Sequence, residues 1–340
     1  MLDIVIKCEA VALGSESLVL EDLEQHRREL TAYCYRMLGS GHDAEDAVQE
    51  TMVRAWRAGS GFEGRSSARS WLYRIATNVC LDALRSRKRR ARPMEMGPSR
   101  PPIEASLDAI LPDGSWISPI ADDRVLAVGA DPAELATARE SVRLAFVAAL
   151  QHLPARQRAV LILCEVLRWQ AAEVAELLDT SVAAVNSALQ RARGTLAAAE
   201  LGTADVTLDT EQRQLLARYV DAFERYDVES LVTLLHADAV QSMPPFAMWL
   251  KGAGDIGQWM LGPGSGCRGS RLLATAANGC PAFAQYRLDP DGGYQPWALH
   301  VIEITGSRIS GIHSFLDTAH LFPAFALPSH LPATGGVSSN

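Results

Sequence analysis

The sequence predicts a multidomain chain, two all-α units followed by an α+β unit, and three observations predict it. Apolar residues recur at helical spacing over residues 21–90 and again over 134–200. Between those runs lies a stretch in which proline recurs too densely for long helices. Beyond residue 203 the pattern changes to one or two amphipathic helices and then to short strand-like runs separated by turn residues. A chain of 340 residues exceeds the usual size of about 100–200 residues per domain, so several cores are expected.

Residues 1–20 form an N-terminal extension whose apolar run is broken by Lys7 and Glu9 and lacks a basic leader. Nowhere do about 18 apolar residues follow one another, so a soluble, cytoplasmic protein without a membrane partner is expected. The net charge of −8 argues against a uniformly basic coat, yet it leaves room for a local basic block such as RSRKRRAR at residues 85–92. Cys8, Cys34, Cys80, Cys164, Cys267 and Cys280 show neither CxxC spacing nor histidine partners. Reduced thiols are expected, with no metal site, disulfide framework or cofactor.

The first helical unit, residues 21–92, contains DAEDAVQETMVRAW. On a helical wheel Ala44, Val48, Met52, Ala55 and Trp56 share one arc, with Asp43, Asp46, Glu50, Arg54 and Arg57 opposite. The charged face reads either as a solvated face supported by Glu50 and Arg54 or as a docking surface for a protein. Acid–base catalysis fits it less well, because no histidine or apolar pocket is at hand to shift a carboxyl.

A second long helix, residues 68–90, puts Trp71, Arg74, Asn78, Arg85 and Arg89 on one stripe and Leu72, Ile75, Val79 and Ala83 on the core side. An aromatic ring among guanidinium groups suits single-stranded nucleic acid, with bases stacking on the ring and phosphates held by the cations. The competing reading makes Trp71 and Tyr73 mere core edges. The preceding GFEGRSSARS loop has the composition of a pocket for an extruded base.

Residues 93–133 are a Pro-rich linker, expected to be extended or partly disordered. Residues 134–202 make the second helical unit, with a new helix starting at Pro154. Within it Ala171, Val174, Ala175, Leu178, Val182, Val185, Leu189, Ala192 and Leu196 are spaced as the core of a helix-turn-helix. The turn lacks glycine, so Asp179 or a neighbour must take the left-handed conformation. The second helix, entered at Ser181, presents Ala183, Ala184, Ser187 and Gln190 opposite that core, with Asn186, Arg191 and Arg193 flanking. Short side chains let such a helix enter a major groove, where Asn186, Ser187 and Gln190 reach base edges and the arginines reach phosphates. An αα-hairpin within a bundle has the same pattern.

Residues 207–330 begin with the helical runs QRQLLARYVDAFERYD and ESLVTLLHAD. Strands are expected at RLLATAA, FAQYRL, WALHVIEIT and RISGIHSFL, separated by Asn278-Gly279, Asp291-Gly292-Gly293 and Gly306. Residues 331–340 read as a flexible tail. Alternation puts His313, Phe315 and Asp317 on one strand face, near His300 on the strand before, which suggests an acid–base pair or a satisfied core histidine. Tyr219, Phe223, Met243, Trp249, Trp259, Tyr286 and Phe315 are candidates to line a pocket for a small apolar ligand, or to fill a core.

DAEDAVQETMVRAWR, FEGRSSARSWLYRIATNVCLDALR and LPARQRAVLILCEVLRWQAAEVAELLDTSVAAVNSALQRAR, in that order, closely resemble regions 2 and 4 of the extracytoplasmic-function (ECF) sigma factors of bacterial RNA polymerase. The resemblance implies that Asp43, Asp46, Glu50 and Arg54 dock on the β′ clamp helices of core polymerase, with a further contact at the β flap. It implies that Trp71, Arg74, Asn78, Arg85, Arg89 and the GFEGRSS loop engage the melted −10 element of promoter DNA. Residues 181–193 would read the −35 element as duplex, and the linker would thread through the polymerase. Asn186 and Ala188 stand where many relatives carry basic residues, so promoter preference does not carry over. The last third resembles the SnoaL-like branch of the NTF2-like fold, a cone of curved sheet and helices, as in the SigG/SigJ-like group. The implied protein is a transcription initiation factor, not an enzyme, regulated in cis by its C-terminal domain. Two alternatives are a SnoaL-like cyclase or hydrolase fused to a DNA-binding module, and a repressor using the helix-turn-helix alone.

Overall fold

The computed structural model describes residues 23–58, 67–85, 89–112, 114–127, 129, 131–197 and 208–333. The N-terminal extension, most of the GFEGRSS loop, the centre of the basic run at 86–88 and the end of the tail at 334–340 lie outside the described residues.

Helices α1 (Arg27–Leu38), α2 (Gly41–Ala58) and α3 (Ala68–Leu84) form the first unit. Gly39, at φ 71°, closes α1 with its N–H on the Tyr35 carbonyl, and Ser67 caps α3 by accepting from the Ser70 N–H. Leu30 and Tyr33 of α1, Val48 of α2, and Leu72 and Ala76 of α3 are packed together with almost no exposure. Trp56, expected in this core, is 68% exposed, because Ala55 is the last buried residue of α2 and its final turn projects past the core. The third helix stops at Leu84, so Arg89 does not continue its stripe.

The connector departs from expectation: its described residues follow one packed path. Proline keeps it from forming long helices. Trp116, Ile117, Ile120, Val125 and Leu126 nevertheless bury themselves and anchor it, the last two in and beside α4 (Asp122–Val125). Its backbone bonds both neighbours, Ser118 N–H to Gly39 on one side and Leu111 N–H to Pro245 on the other.

The second unit comprises α5 (Pro132–Glu140), α6 (Leu144–Gln151), α7 (Ala155–Leu161, prolonged by a π-turn), α8 (Ala171–Leu177) and α9 (Val182–Ala197). Asp179 takes the left-handed turn conformation with φ 49°, as the missing glycine demanded. Buried Arg36 and Arg158 tie this unit to the first, since Arg36 donates to Ser141 and Arg158 donates to the Met37 carbonyl.

The last third is the expected α+β cone. Helices α10 (Thr210–Glu224), α11 (Val228–Leu234) and α12 (Ala253–Leu261) pack on one face of a six-stranded sheet, and α13 (Thr318–Ala324) follows it. Strands β1 (Leu235–Ser242), β2 (Trp249–Lys251), β3 (Arg271–Ala277), β4 (Cys280–Leu288), β5 (Tyr294–Thr305) and β6 (Arg308–Phe315) lie in the order β2-β1-β6-β5-β4-β3. Only the β1–β6 pair is parallel. The last four residues of the expected helix ESLVTLLHAD belong to strand β1, because from Leu235 the backbone pairs with β6 instead of continuing α11. Irregularities at Gln285/Tyr286 and Glu303/Ile304 interrupt the ladder, as bulges that bend a sheet do. Leu331 pairs with Tyr294, so the start of the expected tail is tied to the sheet.

Alternation divides this sheet between two cores. Phe283, Ile302 and Ile312 face the cone helices, while Ala284, Tyr286, Val301 and Phe315 belong to the same core as the two helical units. The Asn278-Gly279 turn closes the joint. Asn278, fully buried, donates to the Tyr35 hydroxyl (2.6 Å) and the Val142 carbonyl (2.7 Å) and accepts from the Ile120 N–H (3.1 Å). One side chain thus joins the last third to both helical units and the connector.

Candidate functional site

Helix α2 turns a partly different face outward from the one expected. Asp43 is inward, in a half-buried ion pair with Arg90 at 2.6 Å, and Arg90 also donates to the Trp116 carbonyl. Asp43 is drawn inward because the connector covers that edge of the helix, with Ser118 accepting from the Gly41 N–H and Ile120 packed beside it. Asp46 and Glu50 remain exposed, Glu50 paired with Arg54 at 2.6 Å and Asp46 facing His42 at 3.8 Å. What α2 offers is a solvent-facing acidic edge of two carboxylates with a cation four residues beyond Glu50.

The α3 stripe is divided. Asn78 and Arg85 are exposed, Arg85 pairing with Asp82, while Trp71 is half-buried against the core. Arg74 leans on α8, 3.5 Å from the Glu176 carboxylate. Tyr73 is buried, as the competing reading had it, with its ring centroid 5.1 Å from that of Trp169 in the second unit. Arg69 stacks over both rings and donates to Glu29 at 2.8 Å. Arg89 lies off the helix and meets His152. The residues sequence reasoning missed are Arg69, Trp169 and Glu176, which put region-spanning contacts on the side of α3 that carries Arg74. Such contacts between distant segments leave no periodicity to read.

Helix α9 is open by contrast. Ser181 caps it by accepting from the Ala184 N–H, and only Val185 and Ala192 are buried. Ala183, Asn186, Ser187, Gln190, Arg191 and Arg193 are all exposed, with Arg193 pairing with Glu165. Val182, expected in the core, is 44% exposed, because the buried side of the helix begins at Val185. The 16-residue helix thus carries a continuous solvent-facing stripe of small, polar and basic side chains.

The cone encloses a cavity of about 400 Å³ whose lining includes Tyr219, Phe223, Met243 and Trp259, as expected. Trp249, Tyr286, His313, Phe315 and Asp317 lie elsewhere. Strand alternation sends Tyr286, His313 and Phe315 to the other face of the sheet; Trp249 donates to the Gly97 carbonyl of the connector, and Asp317 is an exposed partner of His320. His300 is the histidine in the cavity, its Nε2 2.8 Å from the Gln285 Oε1, and burial pushes its pKa down to about 4. His313 sits at the joint, 2.9 Å from Ser242 and 3.6 Å from Glu303. Burial alone would raise the Glu303 carboxyl, but His313 and Arg143 outweigh it and hold Glu303 well below the usual carboxylate range. The expected His313–Asp317 pair is therefore not formed.

Among the described residues no group of three or more His, Cys, Asp or Glu side chains is placed to hold a metal ion, and no helix is long and apolar enough to cross a membrane.

Residues 23–90 match the family model of sigma-70 region 2, and residues 143–196 match that of sigma-70 region 4. The chain is 48% identical over 318 residues to the ECF RNA polymerase sigma factor SigG of Mycobacterium tuberculosis (strain H37Rv), an alignment covering 91% of this chain and 83% of that protein. It is 28% identical over 297 residues to SigJ of the same organism, covering 84% and 87% of the two chains. The crystal structure of the M. tuberculosis extracytoplasmic function sigma factor SigJ superposes with a TM-score of 0.55 at 22% identity, over 91% of this chain and 100% of that one, a likeness of fold.

Proposed function

This chain belongs to the ECF RNA polymerase sigma factors, and from that premise we propose how its surfaces divide the work of initiating transcription. The protein binds core polymerase and directs it to promoters. Asp46 and Glu50, with Arg54, dock on the β′ clamp helices, and the second unit reaches the β flap. Helix α9 reads the −35 element as duplex through Asn186, Ser187 and Gln190, while Arg191 and Arg193 hold phosphates. Trp71, Arg74, Asn78 and Arg85, joined by Arg89 from beyond the helix, meet the melted −10 strand. Asp43 has a structural role as the partner of Arg90. The protein acts in the cytoplasm.

The C-terminal domain regulates in cis. Arg74 rests on Glu176, so full engagement of a −10 strand requires α3 and α8 to part. The Asn278 joint holds both helical units against the same sheet, and a partner or ligand that prefers the parted form shifts the equilibrium toward it. No covalent chemistry is assigned to the cone, in which His300 faces the Gln285 amide and no carboxylate lines the cavity among the described residues.

The observation that carries this reading is the succession of region 2 and region 4 on one chain with the face of α9 exposed. Transcription in vitro with core polymerase and the full chain, followed by mapping of start sites, tests it. Discrete starts that require the protein are expected; random initiation, or tight duplex binding that needs no polymerase, overturns it.

A further inference from the structure

We propose that the cone cavity is a receptor site for a small apolar acid, whose carboxylate pairs with Arg287 at the mouth and whose body fills the space between Phe223, Trp259 and Ile312. The cavity measures about 400 Å³, within the range of about 300–1,000 Å³ that holds small-molecule ligands, and most of its lining is apolar. It is not simply an incompletely filled core, because two buried polar groups there lack partners. The Tyr219 side chain is 1% exposed, and its hydroxyl makes no hydrogen bond. The Arg287 Nε is also buried and unbonded. A polar group shut away from water and left without a partner is unfavourable, and an oxygen acceptor inside the cavity relieves it.

Charge gives the ligand its sign. Arg287 is the sole charged side chain in the lining among the described residues. Its guanidinium stacks on Trp297, 3.3 Å from the ring centroid, and one terminal nitrogen contacts the Cys267 sulfur at 3.1 Å, so the head group is held in place without a carboxylate partner. Trp297 is 37% exposed, which sets this pair at the open end of the cone. His300 adds no positive charge near neutral pH, since burial keeps it uncharged down to about pH 4. Its Nε2–H donates to Gln285, and the Gln285 amide in turn donates to Ser270, so this chain of polar groups is already satisfied. What remains without a partner is the Arg287 Nε–H at the mouth and the Tyr219 hydroxyl in the interior. That pattern fits a carboxylate on an apolar body and disfavours an amine.

Calorimetric titration of the full chain, without polymerase or DNA, separates this site from the promoter-reading surfaces. Three probes share one apolar body: 2-naphthylacetate, 2-(2-naphthyl)ethanol and 2-(2-naphthyl)ethylamine. The carboxylate is expected to bind about tenfold or more tightly than the alcohol, with the amine weaker still. Arg287→Met is expected to remove most of the advantage of the carboxylate over the alcohol, Arg287→Lys to keep part of it, and Tyr219→Phe to weaken the acid severalfold. Equal binding of acid and amine by the parent protein overturns the proposal, as does the absence of any binding at millimolar concentration. Undiminished preference for the acid in a folded Arg287→Met protein overturns the assignment of the head group. Because the parent chain's own preference among the probes is decisive, the test holds even if a variant fails to fold.

Discussion

The two helices that face DNA in the proposed complex stand in opposite circumstances. Helix α9 carries its groove-facing residues in solvent, with two buried residues to seat it. Helix α3 has its aromatic–basic side partly covered, Trp71 half-buried and Arg74 against Glu176 of the other unit. Both helices were written in similar local code, a core stripe beside a basic stripe. The difference lies in what the rest of the chain brings against them. For α3 it brings the second helical unit, held in place by the connector and the Asn278 turn. In the proposed complex, α9 meets duplex DNA as it stands, and α3 must be uncovered before it meets a single strand.

The strongest way to break this contrast is to loosen the joint. Asn278→Gly keeps the left-handed backbone accessible while deleting the side-chain bonds to Tyr35, Val142 and Ile120. A loss of about 2–4 kcal/mol is expected in denaturant unfolding. A larger radius of gyration by X-ray scattering should accompany it, with α3 uncovered; an unchanged radius would show that the covering of α3 does not depend on the turn.

A pH series sharpens the same point. Burial raises the Asp122 carboxyl to about 6, although it accepts the Gly279 N–H at 2.7 Å across the joint. The folded state thus holds a proton between about pH 4 and 6 that the unfolded chain has released. This contribution is present in full below the unfolded pKa and is lost as pH rises through about 6. Asp122→Asn removes the dependence, so its stability relative to the parent should rise between pH 4 and 7 by up to about 3 kcal/mol. Parallel melting curves across that range would remove Asp122 from the account of the joint.

Helix α2, proposed to face polymerase, gives a smaller expected effect. Asp46→Lys with Glu50→Lys should weaken binding to core polymerase roughly tenfold at low salt with folding unchanged. Asp43→Asn should instead lower stability and leave docking nearly intact, since Asp43 is committed to Arg90. Equal docking losses from the two changes would contradict the division of α2 into an inner and an outer edge.

Smallest of all is the bridge that covers α3. Arg74 and Glu176 are both well exposed, so a double-mutant cycle of Arg74→Ala and Glu176→Ala should give a coupling below about 1 kcal/mol. A much larger value would mean that this pair, rather than the shared core, holds the two readers together.

Much of the architecture could be read along the chain. The 3.6-residue spacing marked α1 to α3 and α6 to α9, and Asn278-Gly279 announced the β3–β4 turn. The candidate sites were legible in part. The core side of α9 could be read from its own spacing, although the helix is seated on α7 as well as on its hairpin partner α8. Arg89, Asp43 and Val182 were misplaced where a helix ended early, where the connector covered an edge, and where the seat of α9 began a turn late. Strand β1 was concealed inside a helical pattern, because Leu234-Leu235 serves either period until β6 supplies its hydrogen bonds.

By itself the sequence determined the succession of helical and strand-bearing units, the helix-turn-helix and the charge of each helix face, since these depend on neighbours a few residues apart. The tertiary structure alone decided which face of the sheet became cavity and which became joint. It sent His300 into the cone and His313 to Glu303, made a packed strap of a proline-rich connector, and put Trp169 against Tyr73. Alternation along a strand says that neighbouring side chains diverge, but not what will cover either side. That depends on contacts between residues far apart in the chain, which local spacing does not encode.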